Sequence, residues 1–166
     1  MIVSIIVAVS DNNVIGRGNR IPWRQSADLK RFKQLTTGHH LLMGRRTYES
    51  LDFPLPGRTI IVITHDREFQ VDGALTAPSL ERAIEMARLD DEIFIGGGAQ
   101  IFEQALHRAD RMYLTRVHAD IVGDTFFPEF DDVTEWKLMD AEHRDADAKN
   151  EYPYSFLTYE RAAQPA

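Results

Sequence analysis

The sequence predicts a mixed α/β fold: a mainly parallel central sheet, helices on both faces, and an antiparallel hairpin at the C-terminal end. Three observations predict it. Short apolar runs alternate with amphipathic stretches along most of the 166 residues, the pattern of strands joined by covering helices. Thr59–Ile63 is a β-branched run with no polar alternation, which suits a strand buried on both faces. Two strand-like segments near the C-terminus follow each other with no helix between them, which implies an antiparallel addition at one edge.

Taken in order, Ile2–Val9 is apolar apart from Ser4 and reads as the first strand. Ser26 is placed to N-cap a helix through Thr36, with Gly38 as its stop. His40–Met43 is a short apolar strand, and Arg45–Leu51 a short helix ended before Pro54. Beyond the Thr59–Ile63 strand, Pro78 and Ser79 open a helix to about Arg88. Glu92–Ile95 is a strand, and Ala99–His107 a helix with Ile101, Phe102 and Leu106 on one side. Arg111–Val117 is a strand; Thr134–Ala141 and Tyr154–Glu160 make the terminal pair, and residues 162–166 read as a flexible tail.

Two connections are long. Ser10 to Arg24 contains Gly16, Gly18 and Pro22, and loops of that length are either functional lids or disordered. The Pro22-Trp23 pair argues for an ordered base. Thr64 to Ala77 is the second.

Length and composition narrow the rest. The chain has the size of one domain, here residues 1–161, and buries roughly 70% of its unfolded surface without staples. It has no cysteine, which excludes disulfide scaffolds, Cys-bearing zinc sites, iron–sulfur clusters and thiol nucleophiles. The apolar stretch Met1–Val9 is far short of the ~20 residues of a bilayer span. No Lys or Arg precedes it, as a signal peptide would require; a soluble cytoplasmic protein is expected, with no membrane partner. The net charge of −7 argues against a nucleic-acid partner. That charge is uneven. Residues 1–60 hold nine Lys or Arg against four Asp or Glu, and residues 61–166 hold ten against twenty-two. Either this is solubility, or the N-terminal part holds an anionic ligand. The six histidines show no ligand spacing, so no metal site is expected.

Four groups of residues could carry chemistry. In Ile93–Phe102 a strand runs through Gly96-Gly97-Gly98 into a helix. Such a turn is either structural or lets the backbone approach a phosphate at a helix start. Ile101 stands where a third Rossmann glycine would be, and no Lys-Ser/Thr follows as in a P-loop. Gly44-Arg45-Arg46-Thr47 is a second junction. Its arginines oppose the helix dipole, so they are either solvated or resolved by a bound phosphate. Asp28 serves the dipole of its helix or, sharing a face with Leu29 and Phe32, borders an apolar cavity. With no basic neighbour it would then need a ligand. Arg58 follows Pro54-Leu55-Pro56-Gly57 and is either a surface arginine or a carboxylate clamp.

Together these pieces closely resemble the bacterial dihydrofolate reductases. The matching segments are Asp11–Gly16, Ile21-Pro22-Trp23, Asp28–Lys33, Met43-Gly44-Arg45, Pro54–Arg58, Ile95–Gly98 and Gly123-Asp124-Thr125, spread from Ile2 to about Glu160. Each is weak alone, but their order and separations are specific. The resemblance implies a dihydrofolate reductase-like fold with an adenosine-binding subdomain at roughly 39–90. It also implies NADPH-dependent reduction of 7,8-dihydrofolate to tetrahydrofolate, supplying one-carbon carriers for thymidylate, purine and methionine synthesis. The implied cofactor is NADPH, and the implied partners are dihydrofolate and antifolates of the methotrexate and trimethoprim type, bound by a monomer.

The resemblance also assigns roles. Asp28 would hold the pterin, backed by a hydrogen bond from Thr115, with Ile21 and Trp23 opposite as the other members of the catalytic set. Ile6 and Gly96 would present carbonyls to the pterin edge. Leu29, Phe32 and Leu51 would wall the substrate, with Val7, Lys33 and Leu55 beside them, and Arg58 would clamp its α-carboxylate. Arg45, Thr64, Arg46 and His65 would bind the adenosine 2′-phosphate. Gly97 and Gly98, joined by a cis bond, would take the pyrophosphate with Ala99, Gln100 and Ile101. Ala8, Ile15, Gly16, Gly44, Thr47 and Phe102 would complete the cofactor side. The 10–24 loop would close over the site, braced by Asp124; Glu151 stands where some relatives have a small hydroxyl residue that braces a second, occluded position, so the closed position is expected to dominate. Ile21, Phe102, Tyr48 and Phe53 depart from common choices in the family. A related reductase of riboflavin-precursor pyrimidines, or an NADP-binding sensor, would have no use for Asp28, Phe32 and Arg58 together.

Overall fold

The computed structural model describes residues 1–52 and 54–162; Phe53 and the tail from residue 163 lie outside the described residues. An eight-stranded sheet forms the centre. Its strands are β1 (Ile2–Ser10), β3 (His40–Gly44), β4 (Thr59–Ile63), β5 (Ala74–Ala77), β6 (Glu92–Ile95), β7 (Arg111–Val117), β9 (Trp136–Arg144) and β10 (Tyr154–Arg161). They lie in the order β5-β4-β3-β6-β1-β7-β10-β9. All pairings are parallel except those of β10, which runs antiparallel to both β7 and β9. Four helices connect them: α1 (Ser26–Thr36), α2 (Arg45–Glu49), α3 (Leu80–Met86) and α4 (Ala99–Ala105). Two short strands, β2 (Val14–Gly16) and β8 (Thr125–Phe126), pair with each other beside the main sheet.

The β-branched run of β4 is buried on both faces. Ile61 and Ile63 join a cluster with Ala83, Ile84 and Phe102 from α3 and α4, whereas Ile60 and Val62 join Phe32, Leu35 and Tyr48 from α1 and α2. β3 divides the same way, Leu42 to the first cluster and Leu41 and Met43 to the second. The alternation of a pleated strand thus feeds two helical layers. Both long connections carry a strand that their turn-rich composition hides: β2 lies in the first and β5 in the second.

One cap differs from expectation. Ser26 opens α1, but Gln25 is its N-cap and contributes no side-chain cap bond. The Ala27 N–H instead donates to Asn150 Oδ1 at 2.9 Å, from the turn between β9 and β10. The helix start is therefore satisfied by a residue 123 positions away, which no local pattern shows. Ser79 does cap α3, accepting from the Arg82 N–H at 3.1 Å.

Candidate active site

The carboxyl ends of β1, β3 and β6 face a cleft of about 560 Å³, closed on one side by the 10–24 loop. Open parallel sheets bind ligands at this end. Most of the expected site residues meet here. Ile6, Val7 and Ala8 come from β1; Ile15, Gly16 and Ile21 from the loop; Asp28, Leu29, Phe32 and Lys33 from α1. Thr47, Leu51, Leu55 and Arg58 form the opposite lip, and Gly96, Gly97, Gly98 and Phe102 the floor. Leu29 faces the cleft and not the core, being 52% exposed.

Asp28 sits half-buried in the first turn of α1. Its Oδ1 accepts from the Thr115 hydroxyl at 2.6 Å, across from β7, whose Thr115 pairs with Ala8 in register. Burial pushes the Asp28 carboxyl above the usual carboxylate range, against the Thr115 bond and the charge of Arg31. Arg31 corrects the expectation that Asp28 has no basic neighbour: it lies one turn on along the same helix.

Arg58 is fixed by its own turn. Its Nε donates to the Pro56 carbonyl at 3.1 Å and its Nη1 to Thr36 Oγ1 at 3.4 Å. These bonds leave guanidinium N–H groups free to grip a carboxylate at the cleft mouth.

The two glycine junctions are adjacent because β3 and β6 are neighbours. The Gly44 N–H donates to the Gly97 carbonyl at 2.8 Å, and the Gly97–Gly98 peptide is cis. A Cβ on Gly98 would lie 3.2 Å from Thr47 Oγ1, and one on Gly97 3.2 Å from the Phe102 ring. Gly97 also has φ +117°, so the bare backbone here is required. The result is a cradle that side chains would fill, open to the N-terminus of α4.

Gly44, Arg45, Arg46, Thr64, His65, Ala99, Gln100 and Ile101 lie outside the cleft lining. They follow β3, β4 and β6, around the carboxyl edge of the sheet. Because Gly44 pairs with Ile63, Arg45 and Thr64 leave neighbouring strand ends side by side. The dipole conflict at Arg45 is already met within the chain: Nε donates to Glu49 at 2.7 Å, Nη1 to Asp66 at 3.1 Å, and the guanidinium stacks on Phe69 at 4.3 Å. Trp23 also stands back from the cleft, 9% exposed in a satellite cluster with Val14, Val117 and Ile121. It anchors the loop base and does not itself line the cleft.

The loop itself is tied at several points. The Gly18 N–H donates to Asp124 Oδ2 at 2.9 Å, and the Asp124 N–H to the Gly16 carbonyl at 3.1 Å. The Gly18 N–H and the Thr125 hydroxyl hold the Asp124 carboxyl below the usual range. Gly123 is obligatory beneath this brace, since a Cβ would lie 2.3 Å from Val14 Cγ1 and 2.7 Å from the Gly16 carbonyl. Glu151 also holds the loop, accepting from the Arg24 N–H at 3.1 Å, at its base. Two contacts across the cleft were not legible in the sequence. Asn19 Nδ2 donates to the Arg46 carbonyl at 3.0 Å, and Arg20 pairs with Asp52 at 2.9 Å. Asn19 adopts a left-handed φ of +62°, a conformation that asparagine tolerates.

The model of the family described as dihydrofolate reductase matches residues 2–161. The chain belongs to the dihydrofolate reductase family. It is 44% identical to the dihydrofolate reductase of Haemophilus influenzae over 161 residues, covering 97% of this chain and 99% of that one. It is 42% identical to dihydrofolate reductase type 3 of Salmonella typhimurium, again over 97% and 99%. A solved dihydrofolate reductase from Enterococcus faecalis, complexed with NADP(H) and RAB-propyl, superposes with a TM-score of 0.90 at 35% identity, covering 98% of this chain and 97% of that one. The α/β architecture and antiparallel C-terminal strands expected from the sequence are those of this dihydrofolate reductase fold. No helix among the described residues is long and apolar enough to cross a membrane.

Proposed function

We propose that the cleft reduces 7,8-dihydrofolate to 5,6,7,8-tetrahydrofolate by hydride addition at C6 and protonation at N5, with Asp28 as the residue that holds the pterin. NADPH-dependent dihydrofolate reduction is the activity of the family, and the chain is an NADP-dependent oxidoreductase. The observation that carries the proposal is one carboxylate, bonded to Thr115, in a mainly apolar cleft that ends at a glycine cradle.

NADPH, when bound, supplies the hydride. The chain's own residues fit it: the Gly44, Gly97 and Gly98 backbone leaves room for phosphates, and the start of α4 offers N–H groups. Arg45, Thr64, Arg46 and His65 would receive the adenosine phosphate. Asp28 accepts from the N3–H and 2-amino group of the pterin and favours its protonated form electrostatically. Among the described residues no acid other than Asp28 lines the cleft, and Ile21 stands opposite, so the N5 proton comes from water that the 10–24 loop admits. Leu29, Phe32 and Leu51 wall the ring, and Arg58 clamps the α-carboxylate. The 39–90 segment, which supplies β3, β4 and β5 on one side of the sheet, acts as the adenosine-binding subdomain. The protein works as a cytoplasmic monomer and takes methotrexate- and trimethoprim-type antifolates in the same cleft. The deciding assay follows NADPH absorbance with and without dihydrofolate. Loss only with dihydrofolate is expected, and no dihydrofolate-dependent loss sinks the reading.

Asp124→Ala tests the loop. Asp124 lines no part of the cleft, yet its carboxylate holds Gly18. Hydride transfer in stopped flow is expected to fall by roughly tenfold, while the affinity for dihydrofolate changes less. An unchanged single-turnover rate would show that the brace does not control closure.

A further inference from the structure

On α1, the half-buried Arg31 is held against β10 in an unusual way. Its guanidinium lies over the Phe156 ring at 4.4 Å from the centroid, and 5.7 Å from that of Tyr113. Its Nη2 donates to Thr158 Oγ1 at 3.4 Å. Its Nη1 is buried and has no hydrogen-bond partner among the described residues. A buried N–H left unmade is destabilising, and an apolar side chain would pack on Phe156 as well without that cost. The ring face attracts a cation, but an unpaired Nη1 calls for a further reason.

The charges facing Arg31 supply one. Asp28 lies on its own helix, Tyr113 on β7, and Asp140 and Glu142 on β9. Asp140 and Glu142 are exposed, where water screens them. Tyr113 already donates to Glu92 and accepts from Arg111. Asp28 accepts from Thr115, and Thr115 pairs in register with Phe156, the ring beneath the Arg31 guanidinium, so both charges lie over the same place on the β7–β10 pair, where burial strengthens the attraction between them.

We infer that Arg31 is a positioning residue for the reduction: its guanidinium, fixed on Phe156, is the counter-charge that favours the ionised form of Asp28 behind the pterin. This rests on the reading that Asp28 meets the pterin. Two effects follow with opposite use. Arg31 extends the acidic range in which Asp28 is charged and ready to bind. It also places positive charge behind the pterin, which weakens the pull of Asp28 on the N5 proton. Removing the charge should thus move both limbs of the pH profile to higher pH.

The test compares Arg31→Gln and Arg31→Lys with the unaltered protein, with Arg31→Met in place of Gln if the amide is not tolerated. The carboxyl carbon of Asp28 is titrated by NMR in the ligand-free protein, and single-turnover hydride transfer is followed against pH. In Arg31→Gln the Asp28 midpoint is expected to rise. Relative to the unaltered protein, the variant should be slower by at least threefold on the acid limb and faster by about as much on the alkaline limb. Arg31→Lys should restore most of both. An unmoved midpoint, with activity lost equally at every pH, would make Arg31 a packing residue and overturn the proposal. A moved midpoint with an unmoved rate profile would keep the hold of Arg31 on Asp28 and remove Asp28 from the pterin.

Discussion

Asp28→Asn should fold, melt at a higher temperature at pH 7, and lose hydride transfer by about a hundredfold to a thousandfold at that pH. The loss comes from charge, not shape. The amide still accepts from Thr115, whose hydroxyl lies 2.6 Å from Oδ1, but it no longer favours a protonated pterin. In the unaltered enzyme the hydride step should slow as pH rises, since N5 must gain a proton. In the variant it should recover partly at low pH, where solvent protonates the substrate unaided. The stability gain has its own sign. Burial raises the Asp28 carboxyl above its unfolded value, so the ionised form costs the folded state stability above that pH range, and the cost vanishes below the unfolded pKa. The melting difference between variant and parent should therefore be present at pH 7 and close as pH falls through the carboxyl range. Unchanged turnover at pH 7 would remove Asp28 from the mechanism, and an unchanged melting temperature would mean that Arg31 and Thr115 fully offset its burial.

The strand and helix frame was legible because apolar periodicity is local: β4, α3 with its Ser79 cap, and α4 after three glycines each announce themselves within ten residues. The candidate site was legible where a residue conflicts with its own neighbourhood, as Arg45 and Arg46 do at a helix start, or where glycines interrupt a strand–helix junction, as Gly97 and Gly98 do. What escaped was long-range. The α1 cap comes from Asn150, the partners of Arg45 include Asp66, and the loop tip reaches Arg46 and Asp52. Arg31 was in plain view one turn from Asp28. Its meaning depends on Phe156 and Thr158 from β10, which sequence spacing does not bring near. β2 and β8 were hidden because they are two or three residues long and pair with each other from distant parts of the chain, and β5 because it follows a connection whose composition reads as loop.

Arg45→Ala should weaken NADPH by roughly ten- to a hundredfold and NADH several-fold less, making the enzyme nearly indifferent between the two. The adenosine 2′-phosphate is the one chemical difference between these cofactors. Arg45 is the arginine at the start of α2, beside Thr64 at the end of β4. Its guanidinium is pre-set by Glu49, Asp66 and the Phe69 face. That scaffold has a cost, because a phosphate must share the cation with two carboxylates that repel it. Asp66→Asn should accordingly tighten NADPH modestly while leaving NADH unchanged, the mirror image of Arg45→Ala. Both effects should shrink as salt rises, since the pair is exposed and screened. Cofactor fluorescence titrations across ionic strength read all four combinations. Equal losses of NADPH and NADH in Arg45→Ala would place the 2′-phosphate elsewhere on the carboxyl edge of the sheet, with Arg46 and His65 the nearest alternatives in the chain.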